Sequence, residues 1–257
     1  MTETWADGRI ALVTGATSGF GEAFARRVLA AGGRVIATGR RADRLRGLAD
    51  ELKTERLLTR VLDVREQASI DGLMSSLPAD FQAIDILYNN AGLALGLAKA
   101  PETRLEDWET MIETNVMGLA RVTRAVLPGM VARDRGDVVN IASVAATYPY
   151  PGGNVYGATK AFARQFSLNL RADLIGTKVR VTSVEPGMAE TEFSVVRFAG
   201  DETAAAKVYQ GVHAMSADDV ALVCESVLRL PAHINVNTIE IMPVQQAFGP
   251  FAVDRRG

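Results

Sequence analysis

The chain has 257 residues, 48% of them hydrophobic and 23% charged, the balance of a globular protein and not of a disordered one. Lys and Arg number 28 against 30 Asp and Glu, and the resulting net charge of −2 offers no broad attraction for nucleic acid or an anionic membrane, so neither partner is expected. The single cysteine, Cys224, excludes a disulfide scaffold and reads as a small buried hydrophobe; with only His213 and His233 beside it, a zinc site lacks ligands and no metal is expected. Residues 138–159 carry no charge, but Asn140, Pro149, Pro151, Gly152, Gly153 and Asn154 among them rule out a membrane-spanning helix. Glu3 and Asp7 stand where a secretory peptide needs an apolar core, which points to a cytoplasmic protein.

Short β-branched runs recur along the chain: Arg9 to Thr14, Arg34 to Thr38, Leu57 to Leu62, Ile84 to Asn89, Asp137 to Ser143, Lys178 to Glu185 and Ile234 to Met242. Between them lie segments with apolar residues at helical spacing, such as Phe24, Val28 and Ala31, or Leu45, Leu48 and Leu52. Strands alternating with helices build a mostly parallel sheet covered on both faces, because right-handed crossovers lay each helix on the sheet. With no linker and no internal repeat, the expectation is one doubly wound α/β domain spanning 1–257 with seven strands. Turn residues and weak periodicity after Pro186 mark a lid-like segment at about 188–215, and residues from about 244 to 257 form a tail. Ligands of such a fold bind beyond the carboxyl ends of the strands, so the motifs that matter should follow strands.

The first strand runs into Thr14-Gly15-Ala16-Thr17-Ser18-Gly19-Phe20-Gly21 and then a helix. Bare backbone and free amides at a helix start suit a pyrophosphate, although three glycines after a strand also serve an ordinary tight turn. The second strand ends in Thr38-Gly39-Arg40-Arg41, where an NAD enzyme places an acid on the ribose; two arginines there favour the 2′-phosphate of NADP, with surface arginines as the alternative. Tyr156 and Lys160, four residues apart, share a helix face, and an ammonium beside a phenol stabilises the phenolate; an ordinary helix face is the competing reading. Ser143 ends the fifth strand, as a cap or as a donor to a substrate oxygen. It lies in no G-x-S-x-G elbow, so a serine hydrolase is not supported.

Taken together, these pieces resemble the short-chain dehydrogenase/reductase family from Arg9 almost to the C-terminus. Thr14-Gly15-x-x-x-Gly19-x-Gly21 looks like its cofactor loop, Asn89-Asn90-Ala91-Gly92 like its motif after the fourth strand, and Asn115-Val116-Met117-Gly118 like its helical asparagine motif. Ser143, Tyr156 and Lys160 complete the set; Asp63-Val64 resembles the pair that holds adenine, and Pro186-Gly187 with Thr191 the segment that holds the nicotinamide carboxamide. The resemblance implies a Rossmann-type domain that binds NADP(H) through Gly15, Thr17, Ser18, Gly19, Phe20, Gly21, Arg40, Arg41, Asp63, Val64, Asn89, Ala91, Gly92, Tyr156, Lys160, Pro186, Gly187 and Thr191. It further implies hydride transfer to or from a carbonyl or alcohol carbon. Tyr156 would act as acid/base, Ser143 would polarise the oxygen, Lys160 would lower the phenol's pKa and bind the nicotinamide ribose, and Asn115 would hold a water in a proton relay.

The segments Pro149 to Phe162, Glu185 to Phe193 and Asn235 to Gln246 are similar to one subgroup, NADP-dependent 3-hydroxy acid dehydrogenases acting on serine or allo-threonine, together with sulfoacetaldehyde reductases. Tyr88 departs from the family, which usually has a small aliphatic residue before Asn-Asn-Ala-Gly. Both substrate classes are small anions, which need a cation near Tyr156. Arg197 on the lid and Arg255 or Arg256 in the tail are the candidates, with Tyr150 and Asn154 as further substrate contacts. The family is usually tetrameric, and Phe248 and Phe251 in the tail are consistent with docking on another subunit of a homotetramer. A reductase of uncharged aldehydes or ketones and a nucleotide sensor without catalysis are the competing readings; retention of Asn115, Ser143, Tyr156 and Lys160 speaks against the sensor.

Overall fold

The computed structural model describes residues 4–249. Seven strands form one sheet: β1 (Ile10–Val13), β2 (Arg34–Gly39), β3 (Leu57–Val61), β4 (Ile86–Asn89), β5 (Gly136–Ile141), β6 (Val179–Pro186) and β7 (Thr238–Ile241). Their order is β3-β2-β1-β4-β5-β6-β7, and every pairing is parallel. The winding therefore reverses between β1 and β4, and the cleft beyond their carboxyl ends is where such a fold receives a ligand. The helices are α1 (Gly19–Ala30), α2 (Ala42–Leu52), α3 (Gln67–Ser75), α4 (Leu105–Ile112), α5 (Leu119–Ala132), α6 (Asn154–Asp173), α7 (Glu192–Arg197), α8 (Glu202–Lys207) and α9 (Ala217–Leu228). Among the described residues, no helix is long and apolar enough to cross a membrane, and no cluster of His, Cys, Asp or Glu is placed to hold a metal ion.

Successive strand residues point to opposite faces, so each buried strand feeds two cores. In β1, Ala11 and Val13 join Phe24, Val28, Val220 and Leu228 on the α1/α9 face, whereas Ile10 and Leu12 join Ile70, Val122, Val126 and Leu170 on the other. Tyr88 belongs to the first core: its ring stacks on Phe24 with centroids 4.0 Å apart, and its hydroxyl lies 3.6 Å from Cys224 Sγ. The unusual tyrosine thus fills space between the sheet and its α1/α9 layer. Burial raises both groups, Tyr88 well above its ordinary value and Cys224 to about 12, so Cys224 is an inert thiol.

The seventh strand is shorter than the run from Ile234 to Met242 suggests. Ile234 N–H turns back to Pro231 O, and the side chain of Asn235 instead satisfies both backbone groups of Val181, accepting from its N–H at 2.7 Å and donating to its C=O at 2.9 Å. A side-chain amide here replaces a rung of the ladder. The segment at about 188–215 holds the two short helices α7 and α8, and a bridge between Ala189 and Met215 ties its ends together. Gln246 accepts from Met188 N–H at 2.7 Å and Gln245 from His213 N–H at 2.6 Å, so the start of the tail fastens the base of this segment. Phe248 lies against Tyr148, centroids 4.6 Å apart; Phe251, Arg255 and Arg256 fall outside the described residues.

Candidate active site

A cleft of about 320 Å³ opens along the carboxyl ends of β1 to β6, walled by the loop before α1, the ends of β2 and β3, residues 90–93, the ends of β5 and β6, α6 and α7. At its floor, Gly15 has φ +67° and passes so close to residues 90 and 91 that an added Cβ would stand 2.9 Å from Asn90 Nδ2. A Cβ at Gly21 would meet Gly15 O at 2.3 Å, which no repacking of side chains could relieve. These two positions require bare backbone. The first turn of α1 has no side-chain cap, leaving its amides directed at whatever binds there.

The turn is stitched to the end of β4. Thr14 Oγ1 accepts the N–H groups of Asn90 and Ala91, both at 3.0 Å, while Asn90 Nδ2 donates to the carbonyls of Thr14 and Gly15 at 3.1 and 3.0 Å. Asn89 does not reach the cleft: its amide donates to Thr123 Oγ1 and Asn140 Oδ1, each at 2.9 Å, beneath the sheet end. Asn90, part of the motif but not among the expected cofactor contacts, is the asparagine that lines the wall.

At the adenosine end, exposed Arg40 and half-buried Arg41 line the cleft as expected, with Asp63 and Val64 beside them. Arg41 crosses onto the glycine loop, donating to Thr17 Oγ1 at 3.0 Å and Ser18 Oγ at 2.8 Å, and its Nη1 meets Glu192 Oε2 of α7 at 2.8 Å. Arg65, bonded to Asp63 at 2.6 Å, holds that carboxyl below its usual range, with Arg40 contributing. Glu192 was not anticipated, since nothing in the sequence places it next to a residue 151 positions earlier.

At the other end, Tyr156 and Lys160 of α6 sit under the β5 terminus, both buried. Lys160 Nζ donates to Ile141 O at 2.8 Å and lies 5.9 Å from the Tyr156 ring centre. Burial pushes the phenol up to about 12, opposed chiefly by the Ser143 hydroxyl and also by the Arg197 charge. Burial also pulls the Lys160 ammonium down to about 8. Burial thus dominates the phenol, and Lys160, 5.9 Å from the ring centre, is not among the groups that move it. Ser143 caps the short 3₁₀ turn Val144–Ala146 by accepting from Ala145 N–H at 3.1 Å, so it is both cap and cleft residue.

Asn115 sits in a π-helical stretch, Glu113–Gly118, between α4 and α5. Its amide donates to Leu93 O at 2.8 Å and Thr159 Oγ1 at 3.0 Å, and its oxygen accepts Leu93 N–H at 2.9 Å. Both amide protons are thus spent on pinning the 91–93 loop to α6. Its neighbour Thr114, which sequence reasoning did not pick, lines the cleft with a buried hydroxyl that has no hydrogen-bond partner among the described residues. An unpaired buried hydroxyl in a cleft wall is a cost the fold bears without structural return.

Arg197, at the end of α7, donates to the Tyr150 hydroxyl at 2.6 Å and stands 5.4 Å from the Tyr156 ring centre. A guanidinium and two phenols therefore meet at one place. Asn154 is held elsewhere, accepting from Trp108 Nε1 at 3.1 Å and donating to Ala98 O at 3.2 Å. Pro186, Gly187 and Thr191 line the cleft between these two ends; an added Cβ at Gly187 would press on Gln246 at 2.3 Å.

Known proteins place this geometry. The sequence profile described as short chain dehydrogenase matches residues 9–202. The chain is 58% identical over 247 residues to the NADP-dependent 3-hydroxy acid dehydrogenase YdfG of Salmonella typhi, covering 96% of this chain and 99% of that one. It is 52% identical over 244 residues to the serine 3-dehydrogenase of Agrobacterium fabrum, covering 95% and 97%. Its structure superposes with a TM-score of 0.95 on the closed form of a serine dehydrogenase complexed with NADP⁺, at 56% identity over 96% of this chain and 100% of that one. A glycine turn under an uncapped helix, a Tyr156–Lys160 pair at the opposite end of the cleft and these matches lead to one conclusion: the chain belongs to the short-chain dehydrogenase family.

Proposed function

We propose that the protein is an NADP-dependent oxidoreductase that moves a hydride between the nicotinamide and the carbonyl or alcohol carbon of a short anionic substrate, a 3-hydroxy acid such as serine or allo-threonine or the matching semialdehyde. The observation that carries the substrate class is the Arg197 guanidinium, bonded to Tyr150 and lying over Tyr156, which puts a carboxylate receptor next to an acid/base group. Relatives named for 3-hydroxy acids and serine support it.

The residues present fit the cofactor. Bare backbone at Gly15 and Gly21 and the uncapped start of α1 suit a pyrophosphate, Arg40 and Arg41 a 2′-phosphate, and the unpaired Thr114 hydroxyl a polar group in the cleft. Asp63 and Val64 flank the adenosine end; Ala91, Gly92, Pro186, Gly187 and Thr191 would line the path to the nicotinamide. When bound, NADP supplies the hydride acceptor or donor. Tyr156 protonates the carbonyl oxygen in reduction and takes the alcohol proton in oxidation, with Ser143 in the same cleft to orient the same oxygen. Lys160, held by Ile141 O, stabilises the phenolate and serves the proton path, while Asn115 keeps the loop at Leu93 and the Tyr156 helix in register. With both amide protons engaged, Asn115 has none left to donate to a relay water.

The seat at Arg197 also suits a sulfonate, and sulfoacetaldehyde is the second substrate we propose for it. The chain acts, in this reading, as one dinucleotide-binding domain in the cytoplasm, assembled as a homotetramer; exposed Leu105, Ile112, Met117 and Phe162 support association. The test is NADP reduction with L-serine, L-allo-threonine and 3-hydroxypropionate beside NADPH oxidation with sulfoacetaldehyde and malonic semialdehyde, with light scattering for the assembly. Fast hydroxy-acid oxidation supports the first reading and a dominant sulfoacetaldehyde rate the second. Activity confined to uncharged carbonyls removes both.

A further inference from the structure

The two ends of the cleft are joined by one short element. α7 runs from Glu192 to Arg197, six residues, so its ends stand only about 8 Å apart at the usual rise per residue. Its first residue, Glu192, reaches back to β2's end, with Oε2 at 2.8 Å from Arg41 Nη1 and Oε1 at 3.1 Å from Arg44 Nη2. Its last, Arg197, reaches forward onto Tyr150 and Tyr156. Between them Phe193 lies 5.7 Å from the Tyr156 ring, centre to centre. A helix of fewer than two turns has almost no stability of its own, so its placement is decided by what holds it, Ser194 against the Tyr209 hydroxyl at 2.6 Å in its middle and the contacts at its two ends. The Arg197 end is tied to Gly96 through two hydrogen bonds, one from Gly96 N–H to Arg197 O at 3.0 Å and one from Arg197 Nε to Gly96 O at 3.3 Å. The Glu192 end is tied through the arginine that also grips Thr17 and Ser18 of the glycine loop.

We propose that Glu192 is a positioning residue for the substrate: clamped between Arg41 and Arg44, it holds α7 so that Arg197 stays over Tyr156, which makes the seat for the substrate anion depend on the arginines at the 2′-phosphate end. The inference rests on the reading of Arg197 as the carboxylate receptor. It carries an opposite consequence for the cofactor. Glu192 sets a negative charge against the guanidinium intended for a phosphate, so the same carboxylate that organises the substrate seat weakens NADPH binding. A residue that merely stiffened the fold would move both affinities the same way.

The experiment uses Glu192→Gln, which keeps the shape and removes the charge from a half-exposed side chain. Expected are a rise in KM for L-serine of about three- to tenfold with kcat nearly unchanged, an NADPH Kd that tightens by about threefold, and no change in KM for L-serine methyl ester, where the carboxylate is masked. Arg197→Met is run beside it and should raise KM for the acid but not for the ester. Equal effects of Glu192→Gln on acid and ester, an unchanged KM for the acid, or NADPH binding that is unchanged or weaker would each overturn the proposal. If Arg197→Met discriminates acid from ester while Glu192→Gln does not, only the coupling through Glu192 fails. If neither does, the anion seat itself fails.

Discussion

The amino and carboxyl ends of the sheet treat polar groups in opposite ways. At the amino end two aspartates are buried and fully engaged: Asp85 accepts Ile10 N–H at 3.1 Å and pairs with Arg135 at 2.6 Å, and Asp137 is held by Arg9 and by Arg180 at 2.5 Å. Arg180 goes on to donate to the carbonyls of Leu228 and Leu230, each at 3.0 Å, closing the end of α9. At the carboxyl end Lys160 is buried with a backbone carbonyl for company, the Thr114 hydroxyl has no partner among the described residues, and α1 starts without a cap. The fold engages both of these aspartates fully at the amino end, whereas at the carboxyl end it leaves helix amides and a hydroxyl open beside a buried titratable pair.

That contrast can be broken at either end, and the effects should differ in kind. The largest is expected at the carboxyl end: Tyr156→Phe should lower turnover by about 10³-fold or more while NADPH affinity and unfolding temperature stay near those of the parent, measured by steady-state kinetics, fluorescence titration and calorimetry. Next, Asp137→Ala at the amino end leaves Arg9 and Arg180 without their shared carboxylate and should cost about 3 kcal/mol of stability in denaturant melts, with KM and kcat of the folded enzyme unchanged.

How far each end was legible in the sequence follows from the same geometry. Alternating strands and helices, the glycine turn, and Tyr156 and Lys160 on one helix face are local patterns, and local patterns can be read. The one-residue error between Asn89 and Asn90 is instructive: the two stand together at the end of β4, but which one faces the cleft depends on Thr14, 76 positions away from Asn90. Glu192 and Thr114 left no trace, the first because its partner lies 151 positions back, the second because its significance is a missing partner. Asn235 shortened β7 through a side chain that imitates backbone, which hydrophobic periodicity does not register.

Smaller changes sharpen the comparison within the cleft. Replacing Arg40 and Arg41 together by Ser should weaken NADPH binding by about tenfold to a hundredfold and leave NADH binding unchanged in parallel titrations. Thr114→Val should leave stability within about 1 kcal/mol of the parent, because the hydroxyl it removes is unpaired, and should weaken NADPH binding by about threefold. A comparable isosteric change at the amino end, where every carboxylate oxygen is engaged, would show the reverse pattern.

The most direct test of the central claim, that the buried pair at the carboxyl end carries the proton, is the pH dependence of kcat in both directions between about pH 6 and 10. With Lys160 pulled down to about 8 and Tyr156 pushed up to about 12, the pair loses its first proton near 8. Oxidation needs the pair one proton short, so its rate should rise through that pH; reduction needs the proton present, so its rate should fall. Opposite slopes crossing near pH 8 are the expected result. Flat profiles, or slopes of the same sign in the two directions, would contradict it.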